Sequence, residues 1–312
     1  MVADAVTAGV PVRPARSARR EGWSRRLPLL PAVLVVFAVT QVPFVITLIY
    51  SLISWNLFFP TKTHFAGFKN YQAIFSNPLF VTSLVNTVLI TVFSVVISLV
   101  LGVLIALLLN QNIFGKGIVR TLMIAPFLVM PVAAALIWKH FLFDPSTGLI
   151  DVALSPLGFK GTFDWVNQLP MVSVITVIVW QWTPFMMLIV LAGLQSQNLE
   201  VLEAAKVDGA RALSTFRFIT LPFLRPYLEL GGLLGTLFIL QTFDVVVFTT
   251  GGGGGSGNAT TNIPYLLYLT FSQSEDIGQA AAVGIIDVAI TILVASFALR
   301  TLFSIFHVEA RR

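Results

Sequence analysis

Six long apolar segments, separated by shorter polar stretches, dominate the chain. They lie at about 27–55, 79–109, 121–143, 170–194, 223–250 and between Asp276 and Arg300. Each reaches the roughly 20 residues that a helix needs to cross a bilayer. Backbone groups in lipid must be paired internally, and continuous apolar runs lack the alternation of a transmembrane barrel strand. The pattern therefore predicts an all-α, polytopic membrane protein with six transmembrane helices.

Composition strengthens this prediction. The 312 residues are 56% hydrophobic and 11% charged, whereas soluble domains contain about 25% charged residues. A soluble fold would have to bury several membrane-length apolar runs in one core, which excludes that class. The absence of cysteine excludes disulfides, thiolate metal sites and cysteine nucleophiles.

The positive charges are distributed unevenly among the loops. If the N-terminus is cytoplasmic, fifteen of the nineteen Lys and Arg residues lie on the cytoplasmic side, and the outer side holds only Lys62, Lys69, Lys139 and Lys160. Cytoplasmic loops carry such an excess, so both termini are predicted to be cytoplasmic and no nucleic-acid partner is expected. Residues 1–26 are predicted to be a disordered basic tail, which acts either as a topology signal or also as a site for anionic headgroups.

No pattern for catalysis or metal binding is present. His64, His140 and His307 are far apart in sequence, without the spacing of metal ligands. The glycine run that begins at Gly251 lacks the Gly-Lys-Ser/Thr ending of a phosphate loop, so the chain is not expected to hydrolyse ATP. Glycine accepts backbone angles that other residues refuse, and the run therefore predicts a flexible external turn.

A distinctive motif lies between the fourth and fifth apolar segments. It reads Glu203-Ala204-Ala205-Lys206-Val207-Asp208-Gly209, then nine residues, then Ile219-Thr220-Leu221-Pro222. Asn198 is expected to cap a short helix, Gly209 to turn the chain, and Pro222 to limit a second helix that carries Leu213 and Phe216 on one face. The side chains of the paired alanines are small, so another protein can approach that first helix closely.

The motif resembles the EAA loop of permease subunits in binding-protein-dependent ABC importers. Shorter matches resemble the carbohydrate branch, with its maltose-type and polyol-type permeases: Gly67-Phe68-Lys69-Asn70-Tyr71, Asn86-Thr87, Arg120-Thr121-Leu122, Asp144-Pro145, Gly148-Leu149, Thr183-Pro184-Phe185 and Phe243-Asp244. Two features depart from the family pattern. The run Gly251–Gly255 is longer than the Gly-Gly-Gly-Pro turn of many members, and Asp287 has no counterpart.

The resemblance implies a mechanism and a set of partners. The residues expected to couple an ATPase to the pathway are Glu203, Ala204, Ala205, Asp208, Gly209, Ile219, Leu221 and Pro222. The implied partners are a second permease, two copies of an ABC ATPase, an extracytoplasmic substrate-binding protein and membrane lipid. ATP and Mg²⁺ would be bound by the ATPase, and this chain would need no cofactor of its own.

Six polar or aromatic residues inside the apolar segments are candidates for the substrate pathway: Asn86, Gln181, Trp182, Gln241, Asp244 and Asp287. Sugars are bound by amides and carboxylates together with an aromatic face. Each residue is alternatively a polar packing contact between helices. A carboxylate at the depth of Asp287 either faces a cavity or partner, or is a protonated, hydrogen-bonded group at an interface.

The predicted function is transport of a sugar or sugar alcohol across the cytoplasmic membrane of a prokaryote, as the permease subunit of an ATP-driven importer and not as an enzyme. Residues 27–306 would form the permease domain, with a coupling loop at 195–222 and a short cytoplasmic tail at 307–312. Two alternatives stay open: an ion-coupled secondary transporter in which Asp287 relays the ion, and a membrane scaffold without transport.

Overall fold

The computed structural model describes residues 27–111, 114–158 and 163–309. The predicted basic tail, Lys160 and residues 310–312 of the predicted C-terminal tail lie outside the described residues. The chain forms two units, residues 1–49 and 50–312. The described part of the first unit is a 3₁₀ turn, Leu27–Leu29, followed by most of helix α1, Leu30–Ser51.

The second unit is almost entirely helical within the described residues. One small antiparallel sheet pairs β1 (Ile53–Ser54) with β2 (His64–Phe65), in the register Ile53 to Phe65 and Ser54 to His64. The helices are α2 (Lys69–Phe75), α3 (Pro78–Asn110), α4 (Lys116–Leu128), α5 (Pro131–Ile137), α6 (Leu149–Leu154), α7 (Trp165–Gln168), α8 (Pro170–Ser196), α9 (Leu199–Val207), α10 (Ala212–Thr215), α11 (Leu221–Leu240), α12 (Asp244–Thr250), α13 (Ile263–Ser274) and α14 (Ile277–Glu309).

Within the described residues, six candidate membrane spans account for the long apolar segments, if one bent pair of helices counts as a single span. Five are helices of sufficient length and hydropathy: α1, α3, α8, the helix that runs from Ala212 to Leu240, and α14. The sixth is a pair of helices, Lys116–Leu128 and Pro131–Leu142, which are bent by 101° at the break between them. The prediction of an all-α protein with six spans is confirmed, with the third span broken. Helix α14 continues to Glu309, so the predicted tail boundary at residue 307 falls inside a helix.

The third span was predicted to be continuous over 121–143, and this was wrong. Val129 and Met130 are extended, with ψ of 132° and 136°. The cause is Pro131, because the proline ring disfavours helical geometry in the residue before it. A π turn, Trp138–Leu142, then ends the second half of the span.

The fifth span also differs from its predicted limits of 223 and 250. It ends at Leu240, and α12 begins separately at Asp244. At its other end the helix starts well before Pro222, which was expected to limit it. A π turn, Phe216–Thr220, brings the Leu221 N–H to the Phe216 carbonyl. The missing N–H of Pro222 therefore falls in the first turn of α11, where proline is tolerated.

Helices α3, α8 and α11 pack together as the centre of the second unit. A Cβ at Gly102 of α3 would lie 2.8 Å from the Met186 Cβ of α8, so these two backbones approach closely at the glycine. Small residues allow such approaches between membrane helices. Gly193 of α8 similarly lies against the ring of Tyr227 in α11. Cluster residues at this crossing include Ala106, Leu191 and Leu224.

A second packed region joins α2, α3, α13 and α14 through Ile74, Phe80, Ile263, Leu266 and Val283. The glycine run lies beside it as a turn with positive φ at Gly251, Gly252, Gly254 and Gly255. The Thr260 N–H donates to the Gly254 carbonyl at 2.8 Å, and the Tyr265 hydroxyl donates to the Gly252 carbonyl. These bonds define the geometry of the turn that the sequence left open.

Candidate translocation cavity and coupling loop

A cavity of about 550 Å³ lies where the two broken spans face each other. Its lining includes Val129 and Pro131 at the first break and the stretch from Gln241 to Val245 at the second. The remaining lining residues are Phe127, Ile178, Gln181, Trp182, Phe185 and Phe238. Non-helical backbone at membrane depth is tolerated where it is buried in protein or lines a cavity. The cavity therefore accounts for the non-helical backbone at both breaks, since this backbone lines it.

Side-chain amides satisfy the backbone at both breaks. The Gln181 Nε2 donates to the Val129 carbonyl at 2.8 Å, and Gln181 is only 6% exposed. At the second break, the Asn262 Nδ2 donates to the Thr242 carbonyl. A carbonyl left without a partner in an apolar environment would cost about 1–3 kcal/mol. These amides therefore stabilise the interrupted helices that form the cavity.

Aromatic rings form one wall of the cavity. Trp182 stacks on Phe238 at a centroid distance of 5.6 Å with an interplanar angle of 28°. Phe127 stacks on Phe185 at 5.3 Å, and Trp182 packs edge-on against both of these rings at 5.6–5.7 Å. Such mutual packing restricts the ring orientations, so their faces form a preorganised apolar surface.

Polar groups lie around the second break. Gln241 is exposed to the cavity, and its Nε2 donates to the Thr291 Oγ1 of α14 at 2.7 Å. Asp244 occupies the first turn of α12, where the helix dipole favours a carboxylate. The charged side chain of the described lining is that of Asp244, and this lining contains no Lys or Arg.

Asp287 is placed beside this polar group. It is 7% exposed, and its Oδ1 has no hydrogen-bond partner within the described residues. Thr291, which accepts the bond from Gln241, donates its own hydroxyl to the Asp287 backbone carbonyl at 2.9 Å. Asp287 therefore does not line the cavity, but two hydrogen bonds connect its helical turn to a side chain that does.

The predicted pathway residues thus fall into two sets. Gln181, Trp182, Gln241 and Asp244 line one cavity, whereas Asn86 lies elsewhere. The Asn86 Nδ2 donates to the carbonyls of Asn258 and Thr261, at 3.1 and 3.0 Å, and so fixes the end of the glycine-rich turn.

Sequence reasoning did not place the phenylalanines of the cavity among the pathway residues. Phe185 and Phe243 were quoted only as parts of the family matches, and Phe127 and Phe238 were not singled out. The available signal was their position, because Phe127 precedes Pro131 by four residues and the other cavity phenylalanines lie near Trp182 or the Gln241-Thr242 pair. Polar pairs and prolines inside a hydrophobic run are the sequence marks of a discontinuous span.

The predicted coupling loop, residues 195–222, contains the short helix α9. The Asn198 Oδ1 accepts from the Glu200 N–H at 2.9 Å, which confirms the expected cap. At the other end, the Ala210 N–H donates to the Ala205 carbonyl and the Gly209 N–H to the Lys206 carbonyl. With φ of +78° at Gly209, this is a Schellman motif, in which a glycine ends the helix in the left-handed conformation.

The predicted coupling loop exposes several apolar side chains, and its second half, from Ala212 onward, already belongs to the fifth span. Glu203 and Ala204 are exposed, while Ala205 is buried at 8% exposure. Among the second part of the motif, Leu221 and Pro222 are exposed and Ile219 is half-buried. The largest exposed apolar side chains here are those of Leu199, Val207, Leu213 and Phe218. Leu199 and Val207 precede that span, so their exposure is not explained by a place within it.

One further motif forms a compact turn after the third span. The Asp144 Oδ1 accepts from the N–H groups of Ser146 and Thr147 at 2.8 and 2.9 Å. These backbone hydrogen bonds hold the pKa of the Asp144 carboxyl below its ordinary value of 3.8. The turn encloses Gly148, whose Cβ would lie 2.5 Å from the Asp144 carbonyl oxygen. Asp144 is therefore a local structural residue.

Comparisons with known proteins agree with this architecture. Residues 98–311 match the sequence profile of the family described as binding-protein-dependent transport system inner membrane component. The probable ABC transporter permease protein y4oQ of Sinorhizobium fredii is 35% identical over 86% of both chains. The trehalose/maltose transport system permease protein MalF of Thermococcus litoralis is 34% identical over 89% of this chain and 92% of its own.

A solved structure has the same fold. It is that of a bacterial ABC transporter involved in the import of the acidic polysaccharide alginate, with a TM-score of 0.76, 22% identity, and coverage of 92% of this chain and 97% of the other. This likeness concerns the fold, and the profile match with the two relatives above 30% identity establishes the family. The chain belongs to the family of binding-protein-dependent transport system inner membrane components.

Proposed function

We propose that this chain is a permease subunit that carries a neutral sugar or sugar alcohol across the cytoplasmic membrane in an ATP-driven importer. The observation that carries the proposal is the cavity between the two broken spans. Its volume, about 550 Å³, lies within the range of about 300–1,000 Å³ that is common for ligand sites. In this family, a cavity at membrane depth is where a solute would be held during transport.

The chemistry of the lining supports a carbohydrate. Sugar rings present apolar C–H faces and hydroxyl edges. The faces would stack on Trp182 and Phe238, and the hydroxyls would bind to Gln241 and Asp244. An anionic solute would be repelled by Asp244 and would find no Lys or Arg in the described lining. The polarity of this site therefore favours a neutral solute over an acidic one.

The proposed partners follow from the family and from the apolar coupling loop. A second permease would complete the pathway, two ATPase copies would bind ATP and Mg²⁺, and an extracytoplasmic binding protein would deliver the solute. The proposed topology places both termini and residues 195–222 in the cytoplasm. The residues from Glu203 to Gly209, with Ile219, Leu221 and Pro222, would transmit ATP-driven closure of the ATPase pair. The complex would move solute and break no covalent bond within this subunit.

The test compares two tryptophans of helix α8. Trp182 lines the cavity, whereas Trp180 packs against Trp138 at 5.9 Å on another face of the helix. Complexes reconstituted in proteoliposomes would carry Trp182→Ala or Trp180→Ala, and solute uptake would be measured over a range of concentrations. If stacking contributes about 1 kcal/mol, as aromatic pairs do, Trp182→Ala should raise the KM for uptake about fivefold.

The matched variant separates binding from general damage. Trp180→Ala removes a similar ring from the same helix, so it should lower the amount of folded complex without changing the KM of what remains. A normal KM in Trp182→Ala, or an equal rise in both variants, would remove the assignment of the cavity as the solute site. Gln241→Ala, tested with a neutral disaccharide and an acidic one, would examine the preference for neutral solutes.

A further inference from the structure

The segment between the first two spans exposes a group of phenylalanines. This segment, residues 53–68, is here called the aromatic hairpin, and it contains β1, a 3₁₀ turn at Pro60–Lys62 and β2. Its exposed rings are those of Phe58, Phe59, Phe65 and Phe68, with exposed fractions of 57–78%. The ammonium group of Lys62 lies 5.0 Å from the centre of the Phe59 ring. Large exposed apolar groups outside the spans require an explanation.

The exposure does not result from a loosely held backbone. The Leu57 N–H donates to the Glu275 carbonyl at 2.8 Å, and the Asn56 Nδ2 donates to the Ser274 carbonyl at 2.8 Å. Within the hairpin region, the N–H groups of Ala66 and Gly67 donate to the Leu52 carbonyl. The backbone is therefore anchored on both sides, and it presents the rings outward from a fixed support.

The anchor points locate the hairpin relative to the bilayer. The Trp55 carbonyl accepts from the N–H groups of Ile277 and Gly278, which form the first turn of the membrane span α14. The start of a span lies at the boundary between hydrocarbon and headgroups. Because the hairpin is hydrogen-bonded to that turn, its rings lie at the level of the membrane interface.

The residue types match this position. Segments that lie in the membrane interface bury Trp, Phe or Leu side chains at the boundary of headgroups and acyl chains and carry Lys or Arg on their polar face, and lysine side chains extend toward the headgroups. The hairpin combines its four exposed phenylalanines with Lys62, and exposed Lys69 follows directly after it. A lipid surface accounts for both the anchoring to a span and the neighbouring lysines, and a protein partner is the alternative that the measurements below distinguish.

We propose that the aromatic hairpin is an interfacial anchor that inserts its phenylalanine rings among phospholipids, with Lys62 and Lys69 at the phosphates. It would fix the depth of the first turn of α14 while the rest of the pathway moves. The proposed lipid contact requires only that the chain lies in a membrane. The assignment of that contact to the outer leaflet also rests on the proposed topology, so a wrong topology would leave the lipid contact itself uncontradicted.

The absence of native cysteine allows a direct test. Phe65→Cys, labelled with an environment-sensitive fluorophore, would be studied in the assembled complex in nanodiscs that contain nitroxide lipids. We expect a blue-shifted emission, quenching by nitroxides near the headgroups, and loss of quenching by aqueous iodide. Ser256→Cys is the matched control, because this exposed residue lies in another loop, and its label should respond to iodide.

Further measurements distinguish lipid from a protein partner. Adding the purified binding protein should leave the quenching of the Phe65 label unchanged. Replacing Phe58 and Phe59 by serine should shift the label toward iodide accessibility while leaving assembly intact, because the anchoring bonds use backbone atoms and Asn56. Iodide quenching equal to that at Ser256, or shielding that occurs only when the binding protein is present, would overturn the proposal.

Discussion

Replacing Gly209 by valine should uncouple ATP hydrolysis from transport. Gly209 ends α9 with φ of +78°, and a Cβ built there has no neighbouring atom within 4 Å. The cost of a side chain is therefore a backbone cost, about 1–2 kcal/mol for the left-handed conformation, and β-branching raises it further. One to two kcal/mol changes a population ratio by a factor of about 5–30. The turn that orients α9 should thus be largely lost, while insertion of the spans is unaffected.

The assay is a reconstituted complex in which ATPase retention, ATP hydrolysis and solute uptake are measured on one preparation. Gly209→Val should give either reduced ATPase retention or hydrolysis without uptake. Gly209→Asn should retain much of the function, because asparagine tolerates the left-handed region. The matched control is Gly115→Val. Gly115 has φ of +74° and equally open surroundings, but it lies in the loop before α4.

Two outcomes would refute this reasoning. Full uptake with normal ATPase retention in Gly209→Val would show that residues 195–222 form an ordinary connection. An equal loss in Gly115→Val would show that strain in either loop disturbs the complex in the same way, which would leave no special role for the Schellman turn. Wild-type behaviour of Gly115→Val beside uncoupled Gly209→Val is the result expected for a docking element.

Three other predictions follow from the topology, the buried carboxylate and the turn after the third span. An impermeant thiol reagent applied to intact cells should label Thr63→Cys but not Ser214→Cys; labelling of the second would reverse the proposed orientation. Asp287→Asn should lower uptake while the complex still assembles, because it keeps the shape and removes the titratable carboxyl group from the turn that Thr291 connects to Gln241; normal uptake in Asn with failed assembly in Asp287→Leu would assign the residue to packing. Asp144→Ala should lower the thermal midpoint at neutral pH. The pKa of Asp144 is lowered in the folded state. Its contribution to the free energy of unfolding is therefore complete above pH 3.8, the ordinary pKa, and is lost as the pH falls through the pKa of the folded state. The deficit relative to the parent should therefore vanish in strong acid, and a constant deficit would contradict this.

Hydropathy was sufficient to predict the number of spans because the bilayer imposes one requirement on every segment. A run of about 20 apolar residues must be helical in lipid, whatever its neighbours are. The cap at Asn198 and the turn at Gly209 were equally predictable, since both depend on a few residues adjacent in sequence. The family motif supplied the functional meaning of that loop, which local chemistry alone does not contain.

The two breaks were harder to predict because they depend on distant partners. An interrupted helix in lipid is stable only if its free carbonyl groups accept hydrogen bonds from other parts of the protein. Those donors are Gln181 and Asn262, which are separated by 52 and 20 residues from the carbonyls that they satisfy. Hydropathy treats Val129 and Thr242 as ordinary members of apolar segments. The cavity therefore emerges from pairings that no local pattern reveals, and its phenylalanines were missed for the same reason.

The position of the second break relates the coupling loop to the cavity mechanically. One helix of 29 residues, Ala212–Leu240, begins just after Gly209 and ends immediately before Gln241. At 1.5 Å per residue its length is about 44 Å, more than the thickness of the hydrocarbon core. A helix of this length transmits displacement and rotation better than a loop does. Movement of α9 by an ATPase would thus be delivered to Gln241 at the cavity. The bond from Gln241 to Thr291 would pass it to α14. If the span continued to residue 250, its movement would not be concentrated at the cavity. Because the helix ends at Leu240, the same movement would displace Gln241 and so change the shape of the cavity lining.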